Sequence, residues 1–426
     1  MLDNIQLADR ACARSKPRLP GGRPPFERIA LLLQGGGALG AYQGGVYEAL
    51  AEAGLHPDWT AGISIGAINA ALVAGNPPEK RVEKLREFWE LVTSPPPQWR
   101  FASLSADRPA SGDAGALAIL MSPVEPLAFA DGHASLLKGD AARALLNQWS
   151  AARALSLGAP GFFAPRPLTP WLSPAGSIEA TSYYDTGQLR TTLERLVDFD
   201  RINTGAMRLS VGAVNIRTGN FVYFDTETHR IRPEHVLASG ALPPGFPAVE
   251  IDGEHYWDGG LISNTPLTWV VENEPHRDTL AFQVDLWPSR GEFPRSMAQV
   301  PMRLKEIQYS SRTRAESARF REIQFLRHAL SRLIEKLPEE LVRSKEVAAL
   351  RRATDPKAWN LIQLIYRSKE YEGDAKDYEF SRLSMEDRWR AGRHDTMRAL
   401  RHPEALQRPK SPDGVFIFDV AEQGRE

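Results

Sequence analysis

The sequence contains a single cysteine, Cys12, among its 426 residues. One thiol cannot form a disulfide within the chain, and a zinc site built from cysteines needs several of them. The composition therefore excludes a disulfide framework and a cysteine-based zinc site. Since chains without disulfides are typical of reducing compartments, we expect a cytoplasmic location.

Long apolar runs and an excess of charge are also absent. No run approaches the roughly 20 apolar residues that span a bilayer, and residues 1–25 lack the apolar core of a signal peptide. The formal net charge of -1 gives no general attraction to nucleic acid or to anionic membranes. We therefore expect no bilayer-spanning helix and no nucleic-acid partner.

What is present is the balance of an ordinary globular protein, with 42% hydrophobic and 25% charged residues. The length suggests one large domain with additions or two domains. Shifts in composition predict a flexible leader over residues 1–27, a sheet-containing domain over 28–290, an insertion within it at about 94–180, and a mainly helical extension over 291–426. The insertion contains an aromatic and proline-rich patch, Ala159–Gly176.

One stretch, residues 29–71, organises the chain. Ile29–Leu33 is a short apolar run typical of a buried parallel strand, and Gly35-Gly36-Gly37 follows it. A second predicted strand, Trp59–Ile63, leads into the turn Gly62-Ile63-Ser64-Ile65-Gly66. A helix is predicted after each turn. Because ligands in open α/β sheets bind at the carboxyl ends of the strands, these two turns form the predicted functional site.

Ser64 is the predicted nucleophile. In a Gly-x-Ser-x-Gly motif the serine occupies a strained turn between a strand and a helix, and glycines such as Gly62 and Gly66 remove side-chain clashes there. The hydroxyl then lies beside a helix N-terminus, whose partial positive charge favours a developing oxyanion. The alternative is a glycine-flanked serine in a purely structural turn.

The glycine loop admits two interpretations. Its sequence, Gly35-Gly36-Gly37-Ala38-Leu39-Gly40, matches the Gly-x-Gly-x-x-Gly fingerprint of dinucleotide-binding folds. That function requires an acidic residue at the carboxyl end of the second strand, where this chain has Ser64, whereas Asp58 lies at the opposite end. The other interpretation is an oxyanion hole, in which the backbone N–H groups of the loop bind a tetrahedral intermediate. We favour the oxyanion hole, formed by Gly35, Gly36 and Gly37.

Asp258 is the predicted general base. It follows a short alternating strand and begins the tight turn Asp258-Gly259-Gly260, where a carboxylate can be held toward a serine. The alternative is an ordinary turn aspartate. A catalytic histidine would follow the acid in the order of α/β-hydrolases, but the histidines after Asp258 lack a marked turn context. A Ser64–Asp258 dyad is therefore the simpler hypothesis.

Four sequence blocks resemble the patatin-like phospholipase family, in the family's order. The resemblance covers roughly Arg28 to Leu286 and is interrupted by the insertion. The blocks are Gly35-Gly36-Gly37-Ala38-Leu39-Gly40 with Gly44-Gly45-Val46, Gly62-Ile63-Ser64-Ile65-Gly66-Ala67, Ala238-Ser239-Gly240-Ala241-Leu242-Pro243 with Phe246-Pro247, and Asp258-Gly259-Gly260.

The resemblance implies a fold and an activity. The fold is an α/β class, three-layer α/β/α sandwich with a mostly parallel central sheet. The activity is hydrolysis of the acyl esters of lipids, without a metal or other cofactor. Ser64 would then be the nucleophile, Asp258 its base and the Gly35–Gly37 backbone the oxyanion hole, with Gly62 and Gly66 shaping the nucleophile elbow and Gly259 and Gly260 the base loop.

Two departures from the family leave the substrate open. Leu39 stands where many members have Arg or Lys, and the region after Gly291 resembles an extension found in a bacterial subgroup. The ester can belong to a phospholipid, a neutral lipid or a storage polyester such as polyhydroxyalkanoate. A nucleotide-binding protein and a catalytically silent scaffold stay as rival classes.

Partners are expected on two surfaces. The patch Ala159–Gly176 is interpreted as a lid or as a peripheral contact with a membrane or lipid surface, with an ordinary packed loop as the alternative. The helical extension is compatible with covering the sheet, with a homo-oligomer interface or with a partner site.

Overall fold

The computed structural model describes residues 22–94, 139–273, 276–297, 299–310 and 313–419. Most of the predicted leader over 1–27 lies outside the described residues. So do Cys12 and residues 95–138 of the predicted insertion.

A mostly parallel sheet forms the centre of the molecule. Short apolar runs form its parallel strands, as expected for strands buried on both faces. The strands are, in chain order, β1 (Arg28–Leu33), β2 (Trp59–Ile63), β3 (Ala164–Pro165), β4 (Tyr184–Asp185), β5 (Arg208–Asn215), β6 (Phe221–Asp225), β7 (Val249–Ile251), β8 (Glu254–Asp258), β9 (Thr279–Asp285), β10 (Trp359–Ile365) and β11 (Val415–Asp419).

The order across the central sheet is β11, β10, β9, β1, β2, β5, β8 and β7, and β6 also pairs with β5. The strands from β11 to β5 are parallel to their neighbours. The pairs that β5 makes with β6 and β8, and the β7–β8 pair, are antiparallel. The separate pair of β3 and β4 lies outside this sheet.

Helices cover both faces of the sheet. In the part of the chain that the structure describes, the α-helices are α1 (Ala41–Glu52), α2 (Ile65–Ala74), α3 (Arg81–Val92), α4 (Asp140–Leu157), α5 (Gly187–Leu196), α6 (Phe199–Asn203), α7 (Pro233–Ser239), α8 (Leu267–Glu272), α9 (Gln299–Tyr309), α10 (Thr313–Ile334), α11 (Glu339–Val342), α12 (Lys345–Arg352) and α13 (Arg382–Ala399).

Alternate residues of β1 enter two different hydrophobic cores, as the period of a strand requires. Ile29 and Leu31 pack in the larger core, together with side chains of α1, α2, α3 and α13. Ala30 and Leu32 pack in the smaller core on the opposite face, together with α8 and Phe320 of α10. The predicted three-layer α/β/α sandwich is therefore confirmed.

The C-terminal region contributes strands as well as the predicted helices. β10 pairs with β9 and β11 pairs with β10, so both strands lengthen the central sheet. Helix α13 packs closely on α1, where a Cβ atom at Gly44 or Gly45 would collide with Trp389, and one at Gly392 with the Tyr42 carbonyl. The same larger core thus contains residues from both ends of the described chain.

Candidate active site

Ser64 lies in a strained turn between β2 and α2. Its backbone has φ 56° and ψ -125°, values that L-residues with side chains rarely adopt. A Cβ atom at Gly66 would collide with the Leu33 carbonyl oxygen, and one at Gly62 with the Gly66 carbonyl oxygen. The turn therefore needs glycine on both sides of the serine, as its motif predicts.

The register of the sheet brings Asp258 to the end of β2. Ile63 of β2 lies opposite Gly212 of β5, and Asp258 of β8 lies opposite the next residue, Ala213. β6 pairs with residues 210–214 of β5 along its opposite edge, so β2 and β8 follow one another along the same edge of β5. The last residue of β8 is thereby placed beside Ser64, although the two are far apart in sequence.

The Ser64 hydroxyl lies close enough to the Asp258 carboxylate to favour its ionised form, which lowers the pKa of Asp258. The backbone N–H of Gly260 donates to Asp258 Oδ1 at 2.7 Å, and Gly259 begins a short 3-10 turn. Asp258 is only 2% exposed. Burial raises the pKa of Asp258 to about 7, against the opposing effect of its hydrogen bonds with Ser64 and Gly260.

Two further polar residues hold this arrangement, and sequence reasoning did not assign them a role. The buried Ser239 hydroxyl accepts a hydrogen bond from Ser64 N at 2.9 Å and donates to Gly212 O at 2.6 Å. Asn264 binds both backbone groups of Gly35, each at 3.1 Å. Ser239 belongs to one of the blocks that resemble the family, whereas no motif marks Asn264.

The three glycines of the loop differ in their backbone contacts. The Gly35 N–H is bonded to Asn264, and the Gly35 carbonyl also accepts from Trp287 Nε1 at 3.0 Å. Within the described chain, the N–H groups of Gly36 and Gly37 make no hydrogen bond. These two groups are consequently free to bind a ligand.

A cavity of about 300 Å³ opens onto these groups. The loop glycines, Ser64, Asp258 and Gly260 lie on its wall. Its apolar side is a cluster of five aromatic rings, here called the aromatic wall, in which ring centroids of contacting pairs are 5.0–6.1 Å apart. The aromatic wall consists of Phe162, Phe163, Tyr184, Phe246 and Phe380.

The patch Ala159–Gly176 has two kinds of aromatic and apolar residues. Phe162 and Phe163 are buried in the aromatic wall. Trp171 is 86% exposed, and Leu172 beside it is 73% exposed. The patch therefore contains both residues that line the cavity and exposed apolar residues.

The lining of this cavity, in the part of the chain that the structure describes, contains no histidine. His276 faces Asp355 at 3.6 Å, away from the cavity. Within the same residues, no cluster of three or more His, Cys, Asp or Glu side chains is placed to hold a metal ion, and no helix is long and apolar enough to span a membrane.

The position of Asp58 bears on the dinucleotide interpretation. It lies just before β2, where its carboxylate accepts a hydrogen bond from Ile29 N at 2.7 Å. At the carboxyl end of β2 the chain has Ser64, so no acidic residue occupies the place that ribose recognition requires.

Two models of known protein families match parts of this chain. A family model described as patatin-like phospholipase matches residues 31–270, more than half of the chain. The chain belongs to this family. A second model, described as patatin phospholipase, matches residues 307–412, so the C-terminal region of this patatin-like protein is itself similar to a known family.

Among solved structures, VipD from Legionella pneumophila is similar to the patatin-like chain, with 15% sequence identity and a TM-score of 0.36. The similarity covers 95% of this chain and 75% of that chain. No curated protein matches the chain. The patatin-like phospholipase family is one of lipid acyl hydrolases, which makes a lipid ester the expected class of substrate.

Proposed function

We propose that the protein hydrolyses carboxylic esters of lipids through a Ser64–Asp258 dyad. Asp258 accepts the Ser64 proton as Oγ attacks the ester carbonyl, and then gives that proton to the departing alcohol. Water then attacks the acyl-serine as Asp258 takes a proton from it, the acyl–Oγ bond breaks as Asp258 returns that proton to Ser64 Oγ, and the fatty acid leaves. The observation that supports this most directly is that the Ser64 hydroxyl and the Asp258 carboxylate lie together at the wall of an apolar cavity.

The Gly36 and Gly37 N–H groups are the proposed oxyanion donors, because they are unoccupied and line the same cavity. Gly35 supports the loop through Asn264. Backbone donors fixed before the reaction stabilise the developing negative charge without reorganising, which is where such sites gain most of their rate.

The cavity supports an acyl chain as the group bound beside Ser64. The aromatic wall supplies apolar surface, and about 300 Å³ is the share of roughly ten water molecules in the liquid. That space holds part of one acyl chain, so the rest of the ester extends outward. A neutral lipid or a storage polyester presents the same acyl group and is the alternative substrate.

A lipid surface is the proposed partner of the exposed part of the patch. Leu155 lines the cavity and is 48% exposed, and Trp171 and Leu172 of the patch are exposed as well. Exposed apolar patches mark places where another apolar phase docks.

Two substitutions test the proposed reaction. Ser64→Ala and Asp258→Asn should each lower hydrolysis of a p-nitrophenyl acyl ester by several powers of ten, on the scale of other nucleophile knockouts. A fluorophosphonate probe should label the wild type and spare Ser64→Ala. The matched control is Asp252→Asn, since Asp252 is an exposed turn aspartate paired with Arg232. Full activity of either dyad variant would refute the proposal.

A further inference from the structure

The C-terminal region reaches the glycine loop at Ala38, the residue after the two proposed oxyanion donors. The Ala38 N–H donates to the Asp377 carbonyl at 2.7 Å. The Ala38 carbonyl accepts a hydrogen bond from Arg388 Nη1 at 3.2 Å. Both backbone polar groups of one loop residue are thus bound by a segment more than three hundred residues away in sequence.

Asp377 is in direct contact with the loop. Gly37 has φ 54°, and a Cβ atom there would collide with the Asp377 carbonyl. Asp377 is held in turn by Lys305 of α9, whose Nζ lies 2.8 Å from Asp377 Oδ1 and 3.0 Å from the Asp374 carbonyl. The loop therefore packs against the segment around Asp377, which Lys305 of α9 holds in place.

Arg388 is held in a single orientation. It is buried on α13, where Nη2 lies 3.3 Å from Glu372 Oε2 and 3.6 Å from Glu379 Oε2. Its Nη1 also donates to the Glu379 carbonyl at 3.1 Å, and Tyr366 donates to Glu372 at 2.7 Å. A planar guanidinium with several donors is suited to such a fixed network.

The charge of Arg388 is already balanced by Glu372 and Glu379. Arg388 therefore acts on the loop by fixing the orientation of the Ala38 carbonyl, and not through its net charge. The loop has no charged side chain of its own between Gly35 and Gly40. A rotation of the peptide units on either side of Ala38 would turn the nearest proposed donor, the Gly37 N–H, away from the oxyanion, and a donor works only when it is aimed at that atom.

We propose that the C-terminal region positions the oxyanion loop through Ala38, with Arg388 as the positioning residue that fixes the Ala38 carbonyl. This inference rests on the proposed esterase function. It gives the C-terminal region a role in the transition state, separate from substrate binding.

The test compares Arg388→Lys with the wild type. Lysine keeps the charge and loses the fork, so kcat for a p-nitrophenyl acyl ester should fall about 10- to 100-fold, below or near the loss of a whole oxyanion donor, while KM changes less than about threefold. An alkyl trifluoromethyl ketone, which forms an oxyanion on Ser64, should bind more weakly by the same factor as kcat. The fatty acid of equal chain length should bind as it does to the wild type.

The matched control is Arg393→Lys on the same helix, since Arg393 binds Glu52 at the surface between α13 and α1. It should retain wild-type kcat and ketone affinity. Lys305→Gln is a second variant that loosens the Asp377 contact without touching the buried ion network. It should weaken ketone binding selectively as well, and it decides the question if Arg388→Lys does not fold.

Three outcomes would overturn the inference. They are an Arg388→Lys kcat within twofold of the control, a loss of kcat without loss of ketone affinity, and equal weakening of the ketone and the fatty acid. If Arg388→Lys does not fold, unchanged ketone affinity in Lys305→Gln would also overturn the inference. A wild type that neither hydrolyses the ester nor binds the ketone instead refutes the proposed function, and the inference falls with it.

Discussion

At the scale of single residues, the proposed reaction depends on a carboxylate that is buried and yet must ionise. Asp258 has a raised pKa because burial disfavours its charged form, and its hydrogen bonds with Ser64 and Gly260 only partly offset that effect. A pKa of about 7 makes it a far better base at neutral pH than an ordinary aspartate. The same burial has a cost in stability.

The pH dependence of activity should report this group. Only ionised Asp258 can accept the Ser64 proton, so kcat/KM should rise with pH and level off above a midpoint near 7. The measurement uses an ester whose product signal does not vary with pH, between pH 5 and 9. A flat profile over that interval would show that no group with this pKa limits the reaction.

The stability of Asp258→Asn should also depend on pH. The pKa of Asp258 rises from 3.8 to about 7 on folding, so between these values the folded state binds more protons and the free energy of unfolding falls as pH rises. At pH 8.5 the wild type bears the whole cost, at most about 4 kcal/mol. The variant should therefore be more stable than the wild type at pH 8.5, with the difference vanishing toward pH 4.

Denaturant titrations at the two pH values measure this difference. Asp252→Asn is again the control, because Arg232 lowers the pKa of Asp252 and its replacement should give no gain at pH 8.5. Equal stability of wild type and Asp258→Asn at pH 8.5 would contradict the assigned burial cost.

At the scale of elements, the patch Ala159–Gly176 combines two environments within a few residues. Its first part joins the aromatic wall, and β3 pairs with β4 next to it through Ala164 opposite Asp185. The following short 3-10 turn, Pro170–Leu172, is exposed. The interpretation as a packed loop thus fits one half and the lipid-contact interpretation fits the other.

Charging the exposed half should separate activity on lipid surfaces from activity in solution. Trp171→Asp combined with Leu172→Asp should lower hydrolysis of esters in vesicles about tenfold, since it removes apolar surface that would enter the lipid, and should leave a soluble short-chain ester unaffected. Leu341→Asp, at another exposed apolar residue, is the control. If the double variant keeps wild-type activity on both the vesicle ester and the soluble ester, lipid contact through this turn is excluded.

At the scale of the whole molecule, the C-terminal region completes the sheet and the larger core. β10 covers the edge of β9, and α13 covers α1. Tyr309, Asp377, Tyr378 and Phe380 extend this contribution to the cavity itself. The predicted boundary at residue 290 stays a prediction about chain organisation, and so does the homo-oligomer expected of the extension.

Truncation after residue 290 tests that boundary. We expect residues 1–290 to fail to fold into an active protein, because the edge of β9 and the apolar face of α1 would both be exposed. Solubility, circular dichroism and fluorophosphonate labelling of the truncated and full chains measure the outcome. A soluble, labelled fragment would show that the first 290 residues form an independent domain.

Much of the site could be predicted because it depends on local backbone requirements. A Gly-x-Ser-x-Gly turn between an apolar strand and a helix of small residues has few conformations, so Ser64 was identifiable from a few neighbouring residues. Asp258 was identifiable from its turn and from the family's order of motifs. The roles of Asn264 and Ser239 were not identifiable, because they consist of hydrogen bonds to backbone atoms far away in the sequence.

The sequence by itself determined β1, β2, the nucleophile turn and the glycine loop, since apolar runs and glycine spacing act over a few residues. Tertiary structure alone decided that β8 ends beside Ser64, through its register on β5. It also decided that Asp377 and Arg388 bind Ala38. Contacts of that kind join segments that share no local pattern, so only packing of the complete chain specifies them.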